Sequence, residues 1–157
     1  MSLNKGLVIK STGSRYLVNH QNELYECRIK GKLRMKGIRT TNPVSVGDLV
    51  FFEIQNEISD SGKPMGIISK IEERKNYIIR RSVNLSKESH IIAANIDLAF
   101  IIATVNYPAT TLNFIDRFLV TAEAYNIPSV VVFNKIDLYN PAEMEKVNQW
   151  YGIYHEI

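Results

Sequence analysis

Two groups of residues in this 157-residue chain have the types and spacing to do chemistry. The first is Asn134-Lys135-Ile136-Asp137, set directly after the apolar run Val130 to Phe133. Asp137 offers two carboxylate oxygens, which can accept two adjacent N–H bonds from one flat ligand edge. The Lys135 stem can lie along the plane of a ring, and Asn134 can contact the ring edge and tie the loop down. The second group is Arg28, Lys30, Lys32, Arg34 and Lys36, at every second position, with Arg39 beyond. If that segment is extended, all five charges point to one face. Such a stripe is either an ordinary solvated face or a track for a phosphate backbone.

The elements that must hold the first group are legible around it. Val130 to Phe133 reads as a parallel strand buried on both faces. In open α/β folds, ligands sit at the carboxyl ends of such strands, where Asn134 falls. Ile96 to Thr104 is a second apolar strand. Between them, Leu112, Ile115, Phe118, Leu119 and Ala122 have helical spacing from Thr111 to about Tyr125, and Asn126 can stop that helix. The result is a βαβ unit, with parallel strands and a right-handed crossover expected. Asn140-Pro141 then starts another helix, with Asn140 as N-cap, Pro141 at its first position, and Glu143 and Glu145 in its first turn. Met144, Val147, Tyr151 and Tyr154 form its expected apolar stripe, with Trp150 beside it.

The first seventy residues have a different rhythm. Short β-type runs occur at Leu7–Lys10, Arg15–Asn19, Leu24–Ile29, Asp48–Ile54 and Met65–Glu72, separated by polar turns. Five short strands in this length match an OB-type barrel, and a small SH3-type barrel is the alternative. Tyr16, Tyr25, Phe51 and Phe52 are its aromatic residues available either for the core or for stacking on bases. Residues 72–89, with Arg74-Lys75 and Arg80-Arg81, read as a basic strap linking the two parts. Residues 1–90 hold 16 basic and 9 acidic residues, whereas residues 91–157 hold 3 basic and 7 acidic. The asymmetry points to a polyanionic partner for the first part, nucleic acid ahead of an anionic membrane surface. The expected division is residues 1–89, a barrel with its basic strap, and residues 90–157, a βαβα segment.

Cys27 is the single cysteine, which excludes an intramolecular disulfide and reads as a small buried hydrophobe. The three histidines share no ligand spacing with it, so no metal site is expected within the chain. No signal peptide or membrane-length apolar run occurs, and the chain reads as cytoplasmic.

Asn134-Lys135-Ile136-Asp137 resembles the guanine-specificity motif of GTP-binding proteins. Guanine presents N1–H and an exocyclic amino group side by side, and one carboxylate can accept both. Adenine presents no such pair. GTP chemistry also needs a phosphate loop, usually G-x-x-x-x-G-K-[ST], and the sequence contains none. Either the motif is accidental, or it opens a circularly permuted domain whose phosphate loop comes later.

More of the chain bears on that choice. The linker I-E-E-R-K-N-Y-I-I-R-R-S, the strand entry A-A-N-I-D-L-A-F-I-I-A-T and the stretch F-I-D-R-F-L-V-T-A-E-A-Y-N-I-P-S-V-V-V-F-N-K-I-D-L resemble the ribosome small-subunit-dependent GTPase A (RsgA) family. The resemblance implies an OB-type barrel followed by a partial α/β segment of a permuted P-loop GTPase. It implies guanine contacts at Asn134, Lys135 and Asp137, and GTP with Mg²⁺ as ligand. It further implies GTP hydrolysis in late maturation of the small (30S) ribosomal subunit, with 16S rRNA as the partner of the basic barrel. The catalytic residues, phosphate loop, Mg²⁺ ligands and a zinc-binding domain would lie beyond Ile157, so the chain is expected to be an N-terminal piece, inactive by itself and monomeric. The competing reading is a cytosolic RNA-binding barrel without nucleotide chemistry.

Overall fold

A computed structural model describes residues 3–31, 43–81 and 89–155. Five strands close into a barrel: β1 (Asn4–Ser11), β2 (Tyr16–His20), β3 (Glu23–Ile29), β4 (Leu49–Ile58) and β5 (Pro64–Ile71), in the spatial order β1-β2-β3-β5-β4. β4 returns to pair with β1, and β3 runs parallel to β5 while the other pairings are antiparallel. The five sequence runs therefore fall on the five strands, and the barrel is OB-like.

Closure follows from alternation along each strand. Val8, Tyr16, Val18, Tyr25, Cys27, Val50, Phe52 and Ile68 point inward, and Val44 completes their cluster. Gly66 on β5 is required by this packing, because a Cβ there would lie 2.7 Å from Cys27 Sγ and 2.8 Å from Phe52 Cδ2. Tyr16, Tyr25 and Phe52 are consequently core residues and are not available for stacking on bases. Phe51 alone of the four faces outward, with the Lys5 and Lys70 ammoniums 5.9 and 5.6 Å from its ring centre.

Of the segment expected to be a linker strap, residues 82–88 lie outside the described residues, and the described part is structured. β6 (Tyr77–Arg81) pairs antiparallel with β7 (Ser89–Ala94), and the pair is clasped to the barrel. Val46 bridges Ala93, Ala94 N–H donates to Val46 O at 2.9 Å, and Asn95 Nδ2 donates to Gly47 O at 2.8 Å. The approach is so close that a Cβ on Gly47 (φ +88) would lie 1.9 Å from Ala94 O. Arg74 was expected on a basic surface but is buried: Nε and Nη2 donate to Asp48 Oδ1 and Oδ2, both at 2.6 Å, and Nη2 also donates to Pro43 O. Because the expected boundary at Ser89 falls in this hairpin, the chain divides into compact units at Met1–Ile96 and Asp97–Ile157 instead.

In the second unit, β8 (Ala99–Ala103) and β9 (Ser129–Phe133) run parallel and are joined through helix α1 (Leu112–Ala124). α1 ends in a Schellman motif: Asn126 adopts φ 53, its N–H bonds Glu123 O, and Ile127 N–H bonds Ala122 O. Helix α2 (Pro141–Tyr154) starts on a full capping box between Asn140 and Glu143.

Both helices pack on one face of the two-stranded sheet, so only Ile101, Ala103, Val131 and Phe133 are covered. On the other face Phe100 and Ile102 are 60% and 64% exposed, with Val130 and Val132 beside them. The expectation that the Val130–Phe133 strand is buried on both faces is thus corrected for this chain. The α2 stripe is corrected as well. Val147, Trp150 and Tyr154, spaced by three and four, turn inward, and Tyr151, one residue off that line, is exposed and stacks on His155.

Candidate functional site

Asn134 leaves the end of β9 while still hydrogen-bonded to its neighbour strand, its N–H donating to Ala103 O at 2.9 Å. Its side-chain Oδ1 accepts from Lys135 N–H at 2.9 Å, which closes the start of the loop on itself. Lys135 takes the left-handed conformation, φ 61, and turns the chain into a 3-10 turn at Ile136–Leu138. Asp137 sits in that turn, exposed, and among the described residues no group hydrogen-bonds its carboxylate. The three residues expected to read a base are therefore on one loop at the carboxyl end of a parallel strand. Its carboxylate is an acceptor without a protein donor in the described residues.

A second loop, residues 104–110 after β8, is fastened to the first. Val105 N–H donates to Tyr139 Oη at 2.9 Å, and Tyr139 Oη donates to Asn134 O at 2.8 Å. Asn106 Nδ2 donates to Glu143 Oε1 at 2.8 Å, and Lys135 Nζ donates to Tyr107 O. Glu143 uses its other oxygen for the Asn140 N–H. The Asn106 amide, with that N–H, holds the Glu143 carboxyl below its ordinary range. The Tyr139 bond to Val105, the Glu143 bond to Asn106 and the Tyr107 bond to Lys135 were missed by sequence reasoning, because each joins the two loops and no linear spacing announces it.

On the barrel, Arg28 and Lys30 are exposed, Arg28 on the outer face of β3 and Lys30 just beyond its end. Lys32, Arg34 and Lys36, the rest of the expected stripe, lie outside the described residues, as does Arg39. The structure brings up other cations that the sequence did not single out. A cleft of about 300 Å³ between the β1–β2 and β4–β5 turns is lined by Lys10, Arg15 and Lys63, with Glu26 and Ser61 at its wall. The Ser61 hydroxyl and the Arg15 guanidinium hold the Glu26 carboxyl low. Strand pairing places Lys10 opposite Leu17 and Leu17 opposite Glu26, so the cleft and Arg28 share the outer surface of β1, β2 and β3. Lys10 and Lys63 are far apart in sequence, and only barrel closure joins them. Cys27 faces inward, where burial pushes its thiol up to about 12, and it is no nucleophile. Among the described residues no three His, Cys, Asp or Glu side chains could hold a metal ion, and no helix is long and apolar enough to cross a membrane.

A closed OB-like barrel followed by a βαβα segment with Asn-Lys-x-Asp after its second strand is the architecture of circularly permuted GTPases that carry an N-terminal barrel. The family model for the RsgA N-terminal domain matches residues 5–60, and that for the RsgA GTPase matches residues 71–157. The chain belongs to the RsgA GTPase family.

Curated relatives named small ribosomal subunit biogenesis GTPase RsgA include one from Flavobacterium psychrophilum, 54% identical over 153 residues, covering 97% of this chain and 46% of its own length. Another, from Bacteroides fragilis, is 53% identical over 154 residues, covering 98% and 48%. The chain thus spans about half the length of the curated relatives it matches. Among solved structures, YjeQ from Thermotoga maritima aligns with 99% of this chain and 50% of its own, at a TM-score of 0.69 and 28% identity. YloQ, described as a circularly permuted GTPase, aligns with 99% and 48%, at 0.67 and 27%.

Proposed function

We propose that this chain is the RNA-binding and base-reading portion of a GTPase that acts in maturation of the small ribosomal subunit. The observation that carries the reading is the Asn134–Asp137 loop: an exposed carboxylate with no donor from the described residues, held at the end of β9. In that role Asp137 accepts N1–H and the 2-amino group of guanine, the Lys135 stem covers the ring, and Asn134 fixes the loop. The described residues fit the base and offer no cradle for phosphates. When bound, GTP with Mg²⁺ supplies phosphoryl transfer to water, and the groups for that step belong to sequence outside this chain. The isolated 157 residues are inactive in this reading, and the zinc-binding domain likewise lies outside them.

The barrel supplies the second half of the proposal. Arg28 and Lys30, with the cleft cations Lys10, Arg15 and Lys63, form a basic outer face suited to an rRNA backbone, and by sequence Lys32, Arg34 and Lys36 extend it. The protein works in the cytoplasm as a monomer.

The base-reading claim is tested by nucleotide competition on the whole protein. Asp137→Asn replaces an acceptor pair by an amide, so it should lose preference for GTP and gain xanthosine triphosphate. A site built around a substrate donor rejects an analogue lacking it by roughly 10⁴-fold, which sets the scale of the switch. Unchanged preference in the variant would leave an RNA-binding barrel whose loop is an ordinary turn.

A further inference from the structure

Tyr139 stands two residues beyond Asp137 and belongs to no motif, yet one atom of it joins both strands of the second unit. Its hydroxyl accepts from Val105 N–H at 2.9 Å and donates to Asn134 O at 2.8 Å. Asn134 N–H is already held by Ala103 O at 2.9 Å. The N–H of Asn134 is thus fixed by β8, and its C=O by Tyr139. The Asn134–Lys135 peptide is where the chain swings out of the sheet into the left-handed turn at Lys135, φ 61. Asp137 follows within one 3-10 turn, closed by Leu138 N–H to Lys135 O at 3.0 Å. Any rotation of that peptide is therefore passed on to the Asp137 carboxylate.

We propose that Tyr139 is a positioning residue for base recognition: its hydroxyl sets the Asn134–Lys135 peptide so that one carboxylate meets two ligand donors at once. This rests on the guanine-reading proposal above. The requirement is strict for a double contact and lax for a single one, since a carboxylate displaced by a fraction of an ångström can still follow one N–H but not two held rigidly side by side. Guanine carries both donors, whereas hypoxanthine lacks the 2-amino group. Loss of the Tyr139 hydroxyl should consequently weaken GTP more than inosine triphosphate, a difference that a role in packing alone would not produce.

The experiment measures GTP, inosine triphosphate and xanthosine triphosphate affinities, with thermal midpoints, for the whole protein and its Tyr139→Phe and Asp137→Asn variants. Phenylalanine keeps the ring and its packing. For Tyr139→Phe, loss of one hydrogen bond's worth of alignment predicts GTP affinity down about 3- to 10-fold. Inosine triphosphate affinity should stay within about twofold, so that the ratio of the two narrows. An unchanged ratio, with Asp137→Asn still switching to xanthosine triphosphate, overturns the role of Tyr139 and leaves the guanine reading standing. Equal losses for GTP and inosine triphosphate with a lowered midpoint also overturn it, because Tyr139 would then be structural. If Asp137→Asn alters no preference, the guanine reading itself fails and this inference fails with it.

Discussion

Asp137 and Glu143 are six positions apart and behave as opposites. Asp137 is exposed, and no described residue donates to it. Glu143 spends both oxygens inside the protein, on Asn106 Nδ2 and Asn140 N–H, and these bonds depress its pKa. A depressed carboxyl contributes stability that is fully present above its unfolded pKa, about 4.3. That contribution is lost as pH falls through the lower folded value. Glu143→Gln has one acceptor oxygen for two donors, so the variant should melt below the parent at neutral pH, and the gap should close below about pH 4. Melting curves across that range check it, and a gap independent of pH would refute the assignment. At this scale the four motif residues were legible because they are contiguous. Tyr139 was not, because a hydroxyl that bridges two strands leaves no trace in local spacing.

The same difference between local and distant partners governs the elements. The barrel strands were readable from alternation and polar turns, and α2 was readable from its cap, since each signal lies within a few residues. The β6–β7 hairpin was not, because what orders it is remote. Gly47 lets the barrel backbone come against Ala94, and Asp48 reaches across to Arg74. Arg74 looked like a surface cation in a charged run, but its fork is satisfied bidentately by a carboxylate with no exposure, which also accepts from Ser45 N–H. Removing one partner of such a pair strands a buried charge. Arg74→Met should destabilise the first unit by about 3–5 kcal/mol in denaturant unfolding. Combining it with Asp48→Leu should recover part of that loss, and a single variant as stable as the parent would show that the clasp is dispensable. In α2 the cap was read correctly and the face was not: Trp150 packs near Phe133, and Tyr151 faces out. With apolar residues at both positions, the sequence did not show which of the two the sheet would select.

At the scale of the molecule, the charge asymmetry between the halves was visible before any fold, and the exposed Arg28, Lys30 and cleft cations give it a location on the barrel. The division of the chain was less visible, since the compact units meet after the clasped hairpin, whereas the polar stretch ending at Ser89 points to a boundary inside it. The sheet face opposite the helices, with Phe100, Ile102, Val130 and Val132, is apolar and exposed. The proposed function joins the two units: a guanine-reading loop serves a barrel that engages the small ribosomal subunit. It is tested most directly by GTP and ATP hydrolysis of the whole protein with and without small ribosomal subunits, beside Arg28→Ala/Lys30→Ala. The expected result is hydrolysis of GTP alone, raised by the subunit. In the double variant that stimulation should weaken and lose about two units of salt slope, about one per phosphate contact removed, while basal hydrolysis stays unchanged. Hydrolysis without base preference, or indifference to the subunit, would contradict it.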